Sequence, residues 1–319
     1  MVFEEILSVF LGIFTDYTLR YVALGSAILG ITSGALGCFT VLRKQSLFGD
    51  AIAHAALPGI GFAYLFAGVK DSLLLMLGAA IFAWFGGIVT LAITNTTKIK
   101  QDAALGITLS VFFGLGIVLL TFLQSIGGSS QGGLDRFLFG QAAALIESDV
   151  INLGILAAFC FVVLILFYKE FKIMTFDNSF SQSLGFPIKY LNALLTSVIV
   201  VAVVIGLHTV GVVLMVSMLI APAAGARQWT SNLKNMIILS AIFGGLSGII
   251  GSMISSTTEG MSTGPVIVIT ITTILGISLI FSPKQGYLFK YLRNQRKSQI
   301  SLDNIKTISD NDKENHGNF

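Results

Sequence analysis

Residues 21–59 read YVALGSAILGITSGALGCFTVLRKQSLFGDAIAHAALPG, and this stretch decides the fold. Its first 22 residues carry no charged side chain, and about 20 apolar residues are enough for an α-helix to cross roughly 30 Å of hydrocarbon. The basic pair Arg43-Lys44 ends this segment, and a second apolar segment follows at once. The sequence therefore predicts two membrane-spanning helices joined by a short basic turn.

The composition of the whole chain agrees with a membrane protein. Hydrophobic residues make up 54% of the 319 residues and charged residues only 11%, against roughly 25% charged in a typical soluble domain. A soluble fold cannot hide so much apolar surface from water. The composition excludes a soluble enzyme, a disordered chain and a nucleic-acid-binding protein. Cys38 and Cys160 lie inside apolar segments, so we expect no disulfide framework.

Apolar segments of spanning length recur along the chain, and they predict an all-α polytopic protein with eight to nine transmembrane helices, nine being favoured. The candidate segments are 21–42, 47–68, 72–94, 103–125, 150–168, 190–207, 210–225, 236–256 and 264–282. The two segments beside His208 are short. They form either a broken helix, two helices, or one span with a re-entrant piece.

Basic residues are distributed unevenly between the two predicted sides of the membrane. Placing Arg43-Lys44 in the cytoplasm puts all but three of the 19 Lys and Arg residues on that side, the exceptions being Arg20, Lys70 and Arg136. Cytoplasmic loops carry such an excess of basic residues. The distribution predicts that the N-terminus lies outside and the C-terminus in the cytoplasm.

The chain divides into three predicted regions. Residues 1–18 have apolar side chains at helical spacing and predict an amphipathic helix on the membrane surface. Residues 19–283 form the transmembrane domain. Residues 284–319 are basic and polar, and they predict a disordered cytoplasmic tail.

The predicted cytoplasmic loop 169–189 carries signals for a short helix of its own. Asp177 or Asn178 can cap its start, and Gly185, followed by Pro187, can end it. A short helix on the inner surface has the shape to insert into a groove of a partner protein, the alternative being an ordinary connector.

Asp50 and His54 are ionisable residues inside the second span, where such groups are costly and mark candidate functional sites. Their i, i+4 spacing places both side chains on one helix face, roughly 6 Å apart. At about 1.5 Å per residue from Lys44, they lie about 9 and 15 Å deep. Carboxylate and imidazole groups can bind a divalent first-row metal. A second copy of the chain would double the two ligands to four. The alternatives to a metal site are a proton relay and a structural hydrogen bond between the two side chains.

Two further observations concern mechanism. His208 lies near a predicted helix break, where it is a candidate third ligand or gate residue, unless it only caps the backbone.

The sequence lacks the Gly-x-x-x-x-Gly-Lys-Ser/Thr motif of an ATP-binding loop. We therefore predict no catalytic residues, and the energy for any active transport would come from an ion gradient or from another chain.

The segment Val41–Gly59 resembles the permease subunit of the manganese/zinc/iron ATP-binding-cassette importers, which carries a basic pair and then Ser-Leu-x-Gly-Asp-Ala-x-Ser/Ala-His-Ala-x-Leu-Pro-Gly. Residues 210–222, VGVVLMVSMLIAP, match a second family segment, Val-Gly-x-x-Leu-x-x-x-x-Leu-x-x-Pro. Leu184-Gly185 matches the coupling segment of the family. The resemblance covers about residues 5–282.

The resemblance implies a bundle like that of a type II ABC importer, in the plasma membrane of a bacterium. It implies a homodimer, two ATPase subunits that bind the cytoplasmic loops, and an extracellular lipid-anchored metal-binding protein. The metal site of the family falls on Asp50 and His54, and ATPase coupling falls on Asp177, Leu184 and Gly185. The chain would need no cofactor of its own, because the divalent metal is its substrate.

The sequence also bears on the metal and on the energy source. Residues 220–229, IAPAAGARQW, resemble the manganese-type members of the family. Manganese is therefore the first candidate for the transported metal, followed by zinc or iron. Many members carry Gln where this chain has His208. An ion-gradient-coupled carrier that uses Asp50 and His54 as a proton relay is the alternative function. An intramembrane metalloenzyme and a permease for an organic metal chelate are further alternatives, and the charged pair argues against the chelate.

Overall fold

The computed structural model describes residues 16–68, 72–126, 145–257, 261–284 and 286–289, and every regular element within these ranges is an α-helix. The helices are α1 (Tyr17–Leu42), α2 (Phe48–Ala67), α3 (Ser72–Thr96), α4 (Gln101–Ile126), α5 (Glu147–Leu166), α6 (Tyr168–Phe176), α7 (Asn178–Ser183), α8 (Ile188–Val210), α9 (Val212–Trp229), α10 (Leu233–Thr257) and α11 (Thr263–Phe281). Nearly all of the predicted N-terminal surface helix and most of the predicted tail lie outside the described residues.

Within the described ranges, nine helices are long and apolar enough to cross a membrane, namely all except α6 and α7. The predicted all-α polytopic fold with nine spans is therefore confirmed. The structure also decides between the alternatives near His208. Gly211, with φ of +84°, separates α8 from α9, and only glycine adopts this conformation readily. The region therefore consists of two separate helices.

Helix α1 lies at the centre of the bundle and is the most buried of the spans. It packs against α10 through small residues that let the two backbones approach closely. A Cβ atom at Gly30 would lie 2.2 Å from the main-chain oxygen of Gly244, and one at Gly244 would lie 2.1 Å from that of Gly30. One turn on, the Ser240 hydroxyl donates a hydrogen bond of 2.6 Å to the Gly34 carbonyl. Any larger residue at these contacts would force α1 and α10 apart.

Helix α2 is held on two sides by contacts of the same kind. A Cβ atom at Gly59 would lie 2.1 Å from the Gly78 carbonyl oxygen of α3. On α4, a Cβ atom at Gly116 would lie 2.8 Å from the Leu57 Cβ atom. These close approaches fix the position of the α2 backbone, and with it the direction of the polar side chains that the helix carries.

We expect Gly30→Ala to destabilise the protein, because the added methyl group meets the main chain of α10. Overpacking of this kind costs about 1–3 kcal/mol, so the melting temperature of the purified protein should fall by several degrees. Gly276→Ala is the matched control, since a Cβ atom at Gly276 has no neighbour within 4 Å. Equal melting temperatures for the two variants would contradict the close contact between α1 and α10.

Candidate functional site

The predicted polar pair lies near the start of α2. Asp50 is in the first turn of the helix, where the helix dipole favours a negative charge. Its Oδ1 atom lies 3.3 Å from Nε2 of His54, one turn further along. The side chains remain 32% and 24% exposed, respectively. The structure therefore brings the two residues together on one face, as the sequence predicts, and leaves that face accessible.

The second nitrogen of the His54 ring has no hydrogen-bond partner. Nδ1 is buried and unpaired, while the ring packs edge-on against Phe113 of α4 with centroids 4.8 Å apart. Buried polar atoms without a partner are uncommon and call for an explanation. A neutral imidazole nitrogen is a good ligand for a divalent metal. The nitrogen that faces the Asp50 carboxylate is Nε2, so Nε2 and the carboxylate together can hold a cation on this face.

Among the described residues, no third His, Cys, Asp or Glu joins this pair to form a larger cluster. One chain thus contributes two metal-ligating side chains at this position. His208 lies in the last turn of α8, but its side chain is outside the described part of the structure. Its role as a third ligand or gate residue stays a prediction.

Pro58 introduces a weak point into α2 one turn beyond His54. Proline has no amide hydrogen, so Pro58 cannot donate the helical hydrogen bond to the carbonyl group of His54. The helix continues to Ala67, but its hydrogen bonding is interrupted next to the polar pair. This interruption can be predicted from the sequence, because Pro58 follows His54 by four residues. The contact between His54 and Phe113 cannot, because Phe113 lies on another helix.

The predicted coupling loop contains two helices rather than one, α6 and α7. Asp177 caps α7 and accepts a hydrogen bond of 2.8 Å from the Phe180 amide. Gly185 has φ of +82° and ends the turn, and Pro187 precedes α8. The helix signals in the sequence were therefore correct. The role of Asp177, Leu184 and Gly185 in coupling stays a prediction.

Exposed apolar side chains lie in α7 and directly beside it. Phe176 ends α6, Phe180 lies in α7 and Leu184 caps the end of α7, and each is more than half exposed. Exposed apolar residues of this kind on a loop between two spans mark a candidate protein–protein interaction site. Sequence reasoning found Leu184 through its family motif but missed both phenylalanines, because apolar residues in a connector do not reveal whether they face the core or the outside.

These features define a class of protein, namely a polytopic helical membrane protein with a polar pair inside one span and a short helix with exposed apolar side chains between two others. Residues 15–282 match the ABC 3 transport family, and the chain belongs to this family. The predicted resemblance is thereby confirmed. Members of this family are permease components and not ATPases. The chain is a multi-pass protein of the bacterial plasma membrane.

Similar proteins agree with this assignment. The manganese transport system membrane protein MntC of Bacillus subtilis is 49% identical over 277 residues, which are 87% of this chain but 64% of the relative. The zinc transport system membrane protein TroC of Treponema pallidum is 45% identical over 288 residues, covering 90% of this chain and 97% of the relative. PsaBC from Streptococcus pneumoniae, solved in complex with Fab, is 32% identical with a TM-score of 0.75, covering 89% of this chain and 98% of that chain.

We expect Asp177→Ala to loosen α7, because it removes the oxygen that accepts the Phe180 amide. Loss of an N-cap costs about 1 kcal/mol, which corresponds to roughly fivefold faster local opening. Hydrogen exchange of the Phe180 amide measures this opening. Asp177→Asn retains a capping oxygen and should exchange like the wild type. If both variants exchanged at the same rate, the side chain would not cap the helix.

Proposed function

We propose that the chain is the membrane-spanning subunit of an ATP-driven importer of a divalent metal ion, with manganese as the first candidate and zinc or iron next. The observation that carries this proposal is the Asp50–His54 pair, which places a carboxylate and an imidazole nitrogen side by side on a partly exposed face of one span. Two relatives, which are named as manganese and zinc transport system membrane proteins, support a divalent metal as the substrate.

The chemistry of the pair suits such an ion without deciding which one. Carboxylate oxygen and imidazole nitrogen both bind manganese and zinc, but divalent zinc binds this kind of site more tightly in the Irving–Williams order. A manganese importer built on these ligands therefore has to select its ion through coordination geometry, through a gate, or through the protein that delivers the metal.

Two copies of the chain form the complete pathway in this proposal. Each chain offers one carboxylate and one imidazole on a partly exposed face. A two-fold axis beside this face would bring together two Asp and two His ligands and leave room for water. Cyclic dimers are the commonest symmetric assemblies. The exposure of the pair in one chain is what such a shared site requires.

The distribution of basic residues favours one orientation of the chain in the membrane. With Arg43 and Lys44 in the cytoplasm, the N-terminus lies outside, the C-terminus lies inside, and α7 faces the cytoplasm. Two ATPase subunits then bind the exposed apolar surface of α7. An extracellular lipid-anchored metal-binding protein delivers the ion from the other side.

Transport then follows from movement of the helices that carry the two ligands. The Asp50 carboxylate and the His54 imidazole replace part of the hydration shell of the ion as it enters the span. ATP binding draws the two ATPase subunits together, and α7 carries this movement into the permease. Because Pro58 interrupts the hydrogen bonding of α2, this helix can bend next to the site and expose the ion to the cytoplasm.

We expect Asp50→Ala and His54→Ala to abolish metal uptake while the protein still assembles in the membrane. The measurement is accumulation of radioactive manganese, with zinc as competitor, by cells that express the chain, its ATPase and its binding protein. Asp102→Ala is the matched control, since Asp102 is an exposed acid in the first turn of another span. Normal uptake by both site variants would refute the site. Uptake without any ATPase would favour the ion-gradient-coupled carrier instead.

We expect Phe180→Glu and Leu184→Glu to prevent copurification of the ATPase. Loss of a central apolar contact typically costs about 2 kcal/mol or more, which weakens binding more than tenfold. Phe66→Glu is the control, because Phe66 is exposed on α2 at the end opposite Arg43. Wild-type recovery of the ATPase with either α7 variant would show that this surface is not the docking site.

A further inference from the structure

Arg43 occupies an unusual position at the end of α1. It is the C-cap residue of this helix, and its Nη2 atom donates a hydrogen bond to Oδ1 of Asn192 in α8. Burial lowers the pKa of the Arg43 guanidinium to about 10, so the group still carries its charge at neutral pH. Among the described residues, no carboxylate forms an ion pair with it. Asn192 is thus the side-chain partner that the structure gives this partly buried charge.

Arg43 is connected to the site through a tight turn. The Gln45 amide donates a hydrogen bond of 2.8 Å to the Thr40 carbonyl, and the Phe48 amide donates one of 3.0 Å to the Gln45 carbonyl. Gln45 is itself buried. This hydrogen-bonded turn leads directly into α2, whose first turn contains Asp50. A displacement of Arg43 is therefore passed to the helix that carries the polar pair.

Asn192 is connected to α7 in the same way. The Phe186 amide donates a hydrogen bond of 3.3 Å to the Ser181 carbonyl of α7, and the Leu191 amide donates one of 3.1 Å to the Pro187 carbonyl. The segment between α7 and α8 is thus short and internally hydrogen-bonded. Because no long flexible loop separates them, movement of α7 reaches Asn192.

A second contact lies one turn away but differs in kind. The Phe171 ring of α6 is buried against Phe39 of α1, edge to face, with centroids 6.0 Å apart. The ring pair joins α6 to α1 by close packing, whereas the hydrogen bond joins α8 to the turn that leads into α2 and has a defined direction. Of the two contacts, the hydrogen bond is the one that lies directly before the helix carrying Asp50.

We infer that Arg43 and Asn192 are positioning residues that transmit the movement of α7 to Asp50 and His54. This inference rests on the proposed function, since it assumes that an ATPase drives α7. The two residues touch neither the ion nor the ATPase in this scheme. They set how much of the ATPase movement arrives at the site.

The test is the number of manganese ions imported per ATP hydrolysed by the permease–ATPase complex, together with its metal-binding protein, in sealed vesicles. Asn192→Leu keeps the size of the side chain but removes the acceptor, and Arg43→Gln removes the charge and most of the donors. We expect each variant to lower import at least tenfold, while ATP hydrolysis by the complex and manganese binding to the permease remain. Asn192→Asp retains an acceptor and should keep the wild-type ratio.

The double variant Arg43→Gln/Asn192→Leu should be no worse than either single variant, because residues that act through one contact have non-additive effects. Lys44→Gln and Lys189→Gln are the controls, since each is an exposed basic residue beside one of the partners. Both should import normally.

Several results would overturn the inference. Import and ATP hydrolysis could fall in proportion, which would indicate a damaged complex. The losses of import in the two single variants could add in the double variant. The control variants could lose as much import as the test variants. Asn192→Asp could lose as much import as Asn192→Leu. Failure of the proposed function looks different, because the wild-type complex itself would then import no manganese when ATP is supplied.

Discussion

The cost of polar groups in hydrocarbon is the constraint on which the rest of this structure depends. Helices satisfy the backbone within each span, and side chains solve the same problem locally. The hydroxyl groups of Thr90 and Thr108 lie 2.9 Å apart, and each also bonds a carbonyl of its own helix. The pair of Asp50 and His54 satisfies only part of this requirement, since Nδ1 of His54 has no partner.

Close packing separates the rigid parts of the bundle from the parts that can move. The contacts of Gly30 with Gly244 and of Gly59 with Gly78 leave no room for displacement between the paired helices. The connections at the ends of the spans are different, because polar contacts such as that of Arg43 with Asn192 hold them. In the proposed importer, the helices therefore move as rigid bodies, and the turns at their ends determine the direction.

Much of this architecture could be predicted from the sequence, because the length of an apolar segment directly reflects the thickness of the membrane. The predicted span 264–282 differs from Thr263–Phe281 by one residue at each end. The Asp50–His54 geometry was predictable because an i, i+4 spacing is local. The contact of Arg43 with Asn192 was not, since the partners are 149 residues apart and no local pattern encodes such a pairing. The same reason applies to Phe113.

A site shared by two copies would link affinity to conformation. In the proposed site, Asp50 and His54 of one chain would be two ligands, which are too few to hold a divalent ion firmly against its hydration shell. When the two faces met, four ligands would surround the ion and binding would be tight. When the faces separate, each half loses the ligands of the other, and water replaces them. The movement that opens the pathway is then also the movement that releases the ion, so a strong zinc or manganese ligand set need not trap its cargo. A weak site in each chain is, on this argument, a requirement for transport.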